Sequence, residues 1–189
     1  MHARLVRSST RIASCCVLLA ACGTHSSGSG AFNPNGATAP ASQANTPAAD
    51  QKAPNALPTQ QVDKAVLDRY REYQRIYKQA YETNDPSTLN GIVIDPLLAS
   101  ITKDLNTLAA QKEVWRFTNA LNPRIQGRSK DGMDVYVIDC VATIAAYRYS
   151  TTTGKRLGGG PGRARAALTV LRYSNGTWMV SDAKRGKEC

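Results

Sequence analysis

The spacing of hydrophobic positions changes partway along the chain, from a helical period to a strand-like one. In VDKAVLDRYREYQRIYKQAYETND, Val66, Tyr70, Tyr73, Tyr77, Ala80 and Tyr81 recur at intervals of three and four, as one face of an amphipathic helix requires. At about 3.6 residues per turn, Tyr70, Tyr73, Tyr77 and Tyr81 share about 80° of arc. Asp68, Arg71, Glu72, Arg75, Lys78 and Glu82 fall mainly off that stripe, and Asn84-Asp85-Pro86 ends it. Asp95-Pro96 reads as a helix N-cap with proline at the first helical position. Leu97, Leu98, Ile101, Leu105 and Leu108 then repeat at helical spacing. Ser87 to Ile94 is a short ambiguous stretch with room for one helical turn.

Beyond Lys112 the pattern is that of strands. VWRFT predicts a short strand, and NPRIQ extends it past an irregular bend at Asn122-Pro123. Ser129-Lys130-Asp131-Gly132 is a hairpin turn signal. MDVYVIDCVATIAAYRY predicts the longest strand. One face carries Tyr136, Ile138, Cys140, Ala142, Ile144 and Ala146; the other carries Val135, Val137, Asp139, Val141, Thr143, Ala145 and Tyr147. Both faces are largely apolar, which predicts a central strand covered on much of both sides. TTTGKRLGGGPGR reads as a long glycine-rich connection. RARAALTVLRY and TWMVSDA read as strands joined by a tight Asn175-Gly176 turn, and KRGKEC as a basic tail. Helices followed by strand hairpins predict an α+β fold, with an antiparallel sheet covered by helices on one side.

The N-terminal residues add a location. MHARLVRSSTR holds Arg4, Arg7 and Arg11 and no acid, IASCCVLLA is apolar, and small residues follow up to Cys22. A basic segment, a short apolar run and a small-residue cleavage zone make a secretory signal. The run is about half of the ~20 residues a transmembrane helix needs. Leu19-Ala20-Ala21-Cys22 resembles the lipobox of bacterial lipoproteins. The resemblance implies removal of residues 1–21, acylation of Cys22, and anchoring at the outer face of the cell membrane. Acyl chains contribute about 0.8 kcal/mol per buried CH₂, and a diacylated cysteine meets the need for more than one chain. An ordinary signal peptide with a chance cysteine is the alternative.

Residues 22–61 are rich in Ser, Gly, Ala, Asn, Thr and Pro, with Asp50 and Lys52 as charges and Phe32 as the one aromatic. Such a segment buries too little apolar surface to offset ordering. It predicts a disordered tether about 35 Å long in root-mean-square terms, followed by one domain over 62–189. On the lipobox resemblance, of the five cysteines Cys15 and Cys16 leave with the signal and Cys22 carries lipid. Cys140 and Cys189 remain for one disulfide in an oxidising compartment; two free thiols are the alternative.

The long first helix, Asp139-Cys140 in the longest strand, Thr153-Gly154-Lys155 after it, and Asn175-Gly176-x-Trp178 before a terminal Cys189 resemble the cone-shaped nuclear-transport-factor-2-like superfamily, also called polyketide-cyclase-like. More narrowly they resemble small actinobacterial lipoproteins and secreted proteins of that fold. The resemblance implies a curved, cone-shaped sheet and covers about 62–189. The superfamily hosts enzymes, binding modules and assembly domains, so it leaves function open.

Candidate chemistry is mostly excluded. Both histidines, His2 and His25, precede the domain. Ser-His-Asp and Cys-His nucleophilic systems and His-containing zinc sites are therefore not available to it, and no cofactor or metal is expected. LGGGPGR does not fit a phosphate-binding loop. Asn175-Gly176-Thr177 matches a glycosylation acceptor, which a bacterial lipoprotein makes irrelevant. Two readings of the tyrosine stripe are open: the rings fill the mouth of the sheet's concave face, or hydroxyls of Tyr70, Tyr73 and Tyr77 line a cavity. Pocketed members of the superfamily hold an apolar ligand there, where a tyrosine and a carboxylate can move a proton beside a carbonyl. Asp139, the one acid inside the long strand, is the natural partner; an ion pair with one of the sheet's arginines is its other reading.

Formal net charge is +10, and basicity concentrates late: residues 114–189 hold thirteen Lys/Arg against five Asp/Glu. Export argues against nucleic acid. Anionic lipid headgroups or wall polymers are the polyanions within reach of such a surface; a solvated basic surface with no partner is the alternative. The expected function is a non-enzymatic binding or assembly module of the cell envelope, with an unidentified envelope protein as partner. The alternative is a small-molecule-binding protein or cofactor-free isomerase or dehydratase using a cone pocket.

Overall fold

The computed structural model describes residues 53–189. The expected signal peptide, the expected lipidation site Cys22 and most of the expected tether lie outside the described residues. Ordered structure begins with a 3₁₀ turn at Pro54–Ala56, and helix α1 runs Thr59–Thr83, three residues ahead of Val62. Val62, Val66, Tyr70, Tyr73, Ala80 and Tyr81 are its buried positions. This is the face that the spacing marks, except that Tyr77 is only partly buried. Asn84 takes a left-handed conformation and returns its N–H to the Ala80 carbonyl, closing the helix where the Asn-Asp-Pro signal places the stop.

A second 3₁₀ turn, Pro86–Leu89, leads to a single parallel bridge between Val93 and Val180. The ambiguous stretch is therefore half turn, half sheet-edge cover. Helix α2 spans Leu97–Ala110. Its N-cap is Pro96 rather than Asp95, and the Asp95–Pro96 peptide is cis. Asp95 acts from one residue further back, its Oδ1 accepting the Ala99 N–H at 3.1 Å.

Six strands follow: β1 (Glu113–Ala120), β2 (Arg124–Arg128), β3 (Asp134–Ser150), β4 (Arg156–Gly160), β5 (Arg165–Ser174) and β6 (Thr177–Glu188). All pair antiparallel in one sheet of order β1-β3-β5-β6. The long β3 serves two partners on each edge. Its first half pairs with β2 and β5, its second half with β1 and β4. Helices on a curved six-stranded antiparallel sheet form the expected α+β cone arrangement.

Three expectations change. The glycine-rich connection contains β4: Gly158, Gly159 and Gly160 lie opposite Arg148, Tyr147 and Ala146. Gly159 has φ +114°, and a Cβ there would overlap the Ala146 carbonyl oxygen and come within 2.8 Å of Tyr147 Cα. Glycine is thus required by close strand approach, a signal that reads as loop in sequence. The basic tail is also strand: β6 continues through Lys184, Arg185 and Glu188, opposite Leu168, Ala167 and Arg165. Edge strands tolerate such charge because one side faces water. Finally, β3 is central but not covered on both sides. The helices pack against Val135 and Val137, while Ile138 and Leu168 pair on the other face, where Leu168 and Ile144 remain exposed. Both helices precede the sheet in the chain and fill one concavity, so the described residues supply no second layer.

Candidate ligand cavity

The inner face of the sheet divides into a filled end and an open end. At the filled end Tyr70 is fully buried, and its Oη donates to Asp139 Oδ2 at 2.9 Å. Gln74 Nε2 donates to Tyr70 Oη at 3.0 Å. Asp139, 1% exposed, also accepts the Asn122 backbone N–H at 2.7 Å through Oδ1. Topology explains this bond. β3 changes partner here, pairing Ile138 with Arg124 and Ala142 with Ala120. The bend between β1 and β2 leaves the Asn122 N–H without a strand partner, and the Asp139 carboxylate supplies one. Burial pushes the Tyr70 hydroxyl well above its ordinary range, and the Asp139 carboxylate beside it pushes further. The pair is a fixed structural contact, and neither residue lines the open end. The expected arginine partner of Asp139 is absent among the described ion pairs; tyrosine and a backbone amide take its place.

At the open end is a cavity of about 580 Å³, within the range of about 300–1,000 Å³ typical of small-molecule sites. One wall is aromatic. Tyr73, Tyr77 and Tyr81 descend α1 in successive contact, with ring centroids 5.6 and 4.7 Å apart. Phe117 on β1 lies 6.0 Å from Tyr77 and 6.2 Å from Tyr81, and Trp115 lies 6.5 Å from Tyr81. Burial raises the hydroxyls of Tyr73, Tyr77 and Tyr81, so these rings act as neutral walls. The tyrosine stripe divides: Tyr70 lies in the core and not along the cavity, while Tyr73 and Tyr77 border it.

The sheet forms the floor through Val141, Ala146, Ala167 and Ala183. Alanine at three of these positions, Ala146, Ala167 and Ala183, is what leaves the space open. Asn119 lines it as well, and its Oδ1 is buried without a hydrogen-bond partner. The rim carries Arg165, Lys184 and Arg185, with Asp104 of α2 as the one lining carboxylate. Sequence reasoning missed Trp115, Phe117 and Asn119, and read the rim cations Arg165, Lys184 and Arg185 only as part of a basic surface. The alternation Trp115-x-Phe117-x-Asn119 was the available signal, since strand period two puts them on one face.

On the opposite face, Cys140 and Cys189 bring their sulfurs to bonding distance, with Cα atoms 6.1 Å apart. Among the described residues no group of His, Cys, Asp and Glu is placed to hold a metal ion, and no helix is long and apolar enough to cross a membrane.

No known family profile matches the chain, and no curated protein does. Solved structures do. The intermembrane-space region of chloroplast protein ARC6 superposes with TM-score 0.56 at 13% identity, covering 67% of this chain and 97% of that one. A putative dehydratase of the NTF2-like family from Streptomyces avermitilis reaches TM-score 0.42 at 12% identity, covering 66% and 97%. Aln2 from a Streptomyces species reaches 0.42 at 12% identity, covering 69% and 93%. At such identities the likeness to ARC6 is one of fold, and the weaker superpositions add nothing to it.

Proposed function

We propose that this chain is a non-enzymatic binding module, held by lipid on Cys22 at the outer face of the cell membrane, whose cone cavity takes a small apolar molecule. The observation that carries the reading is the division of the inner face. An aromatic-walled cavity of about 580 Å³ stands open, while Asp139 is locked to Tyr70 and Asn122 outside it. Binding has a site; proton transfer by Asp139 does not, because its two oxygens are occupied and it does not reach the cavity. The isomerase or dehydratase alternative would need another base, and Asp104, the lining carboxylate, is exposed at the rim. The lipobox and the long polar segment after it support a tethered module, and the basic second half suits a polyanionic surface.

The experiment is titration of the full chain, carrying Cys22→Ser so that it stays free of lipid, with the uncharged fluorescent probe N-phenyl-1-naphthylamine. Saturable binding is expected, with quenching of Trp115. Ala146→Trp or Ala183→Phe should abolish it by filling the floor. Absence of saturable binding, or binding that survives both substitutions in folded protein, would sink the proposal.

A further inference from the structure

We infer that the cavity selects amphiphilic anions: an apolar chain or ring system against the aromatic wall, and a carboxylate or phosphate head held by Arg165 and Arg185. The inference rests on the binding reading above and names its ligand class.

Strand register makes the two arginines part of the site. Arg165 stands opposite Val141, and Arg185 opposite Ala167. Val141 and Ala167 both line the floor, so cross-strand neighbours put both guanidinium stems on the cavity face. Lys184 pairs with outward-facing Leu168 and forms an ion pair with Asp182 at 3.1 Å, which leaves it out of the head-binding pair. Arg185 forms no ion pair among the described residues. Arg165 reaches a carboxylate, that of Glu188, only at 3.9 Å, with 41% of its side chain exposed. Two guanidinium groups with spare donors at the mouth of an apolar cavity suit a planar or tetrahedral oxyanion. Asp104 contributes one opposing charge across the mouth, leaving the rim cationic.

The interior agrees with a ligand that is apolar but not purely hydrocarbon. The buried, unpartnered Asn119 Oδ1 lies in the wall, and a hydroxyl on the ligand body would satisfy it. Leaving such an acceptor dry costs about 1–3 kcal/mol, so a hydroxylated body gains over a plain one. The anion could be a free amphiphile or a membrane lipid, since both share the same chemistry.

The test compares cis-parinaric acid with its methyl ester on the full chain carrying Cys22→Ser, read by energy transfer from Trp115. The acid is expected to bind about tenfold more tightly than the ester, as a charge-assisted contact of about 1.4 kcal/mol gives. Arg165→Gln with Arg185→Gln should erase that difference. Arg185→Glu alone should weaken the acid more than the ester, reversing the preference. Equal affinity for acid and ester would overturn the inference while leaving the binding module intact; binding of neither would overturn both. Competition identifies the source. Displacement by dihexanoyl phosphatidylglycerol points to a lipid, displacement by dodecanoate alone points to a free amphiphile, and equal displacement by zwitterionic dihexanoyl phosphatidylcholine overturns charge selection.

Discussion

Tyr70 and Asp139 meet in the core at 2.9 Å, 69 positions apart in the chain, joining the first helix to the middle of the longest strand. Tyr70→Phe leaves Asp139 Oδ2 without its tyrosine donor, and buried acceptors left so cost about 1–3 kcal/mol. Asp139→Ala should cost more, because it also strips the Asn122 N–H of its acceptor. Urea denaturation would show a fall in midpoint for both. Probe affinity should stay within about twofold, since neither residue lines the cavity; a large loss of binding would contradict the placement of the pair outside it.

Alkali should destabilise the domain. Tyr70, Tyr73, Tyr77 and Tyr81 all have hydroxyls raised above the ordinary value of 10.0, burial being the first cause in each. Above pH ~10 the unfolded chain releases these protons and the folded chain keeps them, so the unfolded state gains. The stabilisation is complete below that pH and is lost as pH climbs toward the folded values. Each tyrosine contributes up to about 1.4 kcal/mol per pH unit to the slope. Urea midpoints between pH 9 and 11 should fall steeply, and Tyr73→Phe should flatten the fall. A level profile would contradict the burial of these hydroxyls.

Gly159→Ala should be among the most damaging small substitutions. It places a side chain at φ +114° against the Ala146 carbonyl, and a strained backbone position alone costs about 1–3 kcal/mol. Gly160→Ala, with nothing within 4 Å of its added Cβ, is the control. Thermal unfolding should separate the two by several degrees, with similar melting overturning the strand assignment of β4.

Oxidised protein should outlast reduced protein. Closing a loop with sequence separation 49 between Cys140 and Cys189 corresponds to about 4 kcal/mol in the chain-entropy view. Denatured without reductant, the mature chain should expose no thiol to a maleimide. Two reactive equivalents would exclude the bond.

Cys22→Ser should release the chain from membranes into the soluble fraction. Retention after carbonate washing would remove the lipid anchor from the proposal.

What could be read in advance depended on whether the information was local. The buried positions of α1 follow from spacing, because one residue's placement on a helix fixes the next. The turn at Asn175-Gly176 follows from chemistry: both residues have positive φ, 51° and 80°, which suits the pair. β4 was hidden because glycine has no strand preference and is there for proximity to β3. The far part of β6 was hidden because Lys184 to Glu188 is charged, as an edge permits. Asp139 was recognised as unusual from its place in an apolar strand, but its partners depend on a bend seventeen residues earlier and a helix far upstream. The cavity depends on small residues from three strands, Ala146, Ala167 and Ala183, converging under one aromatic wall, and no single segment announces that.

The link between Cys140 and Cys189 has a mechanical consequence. β6 is an edge strand, and its last residue would otherwise be the natural place for the sheet to start unzipping under tension. With the bond formed, a pull on Cys189 is delivered past β5 to the centre of β3, so β6 cannot peel from its end one hydrogen bond at a time.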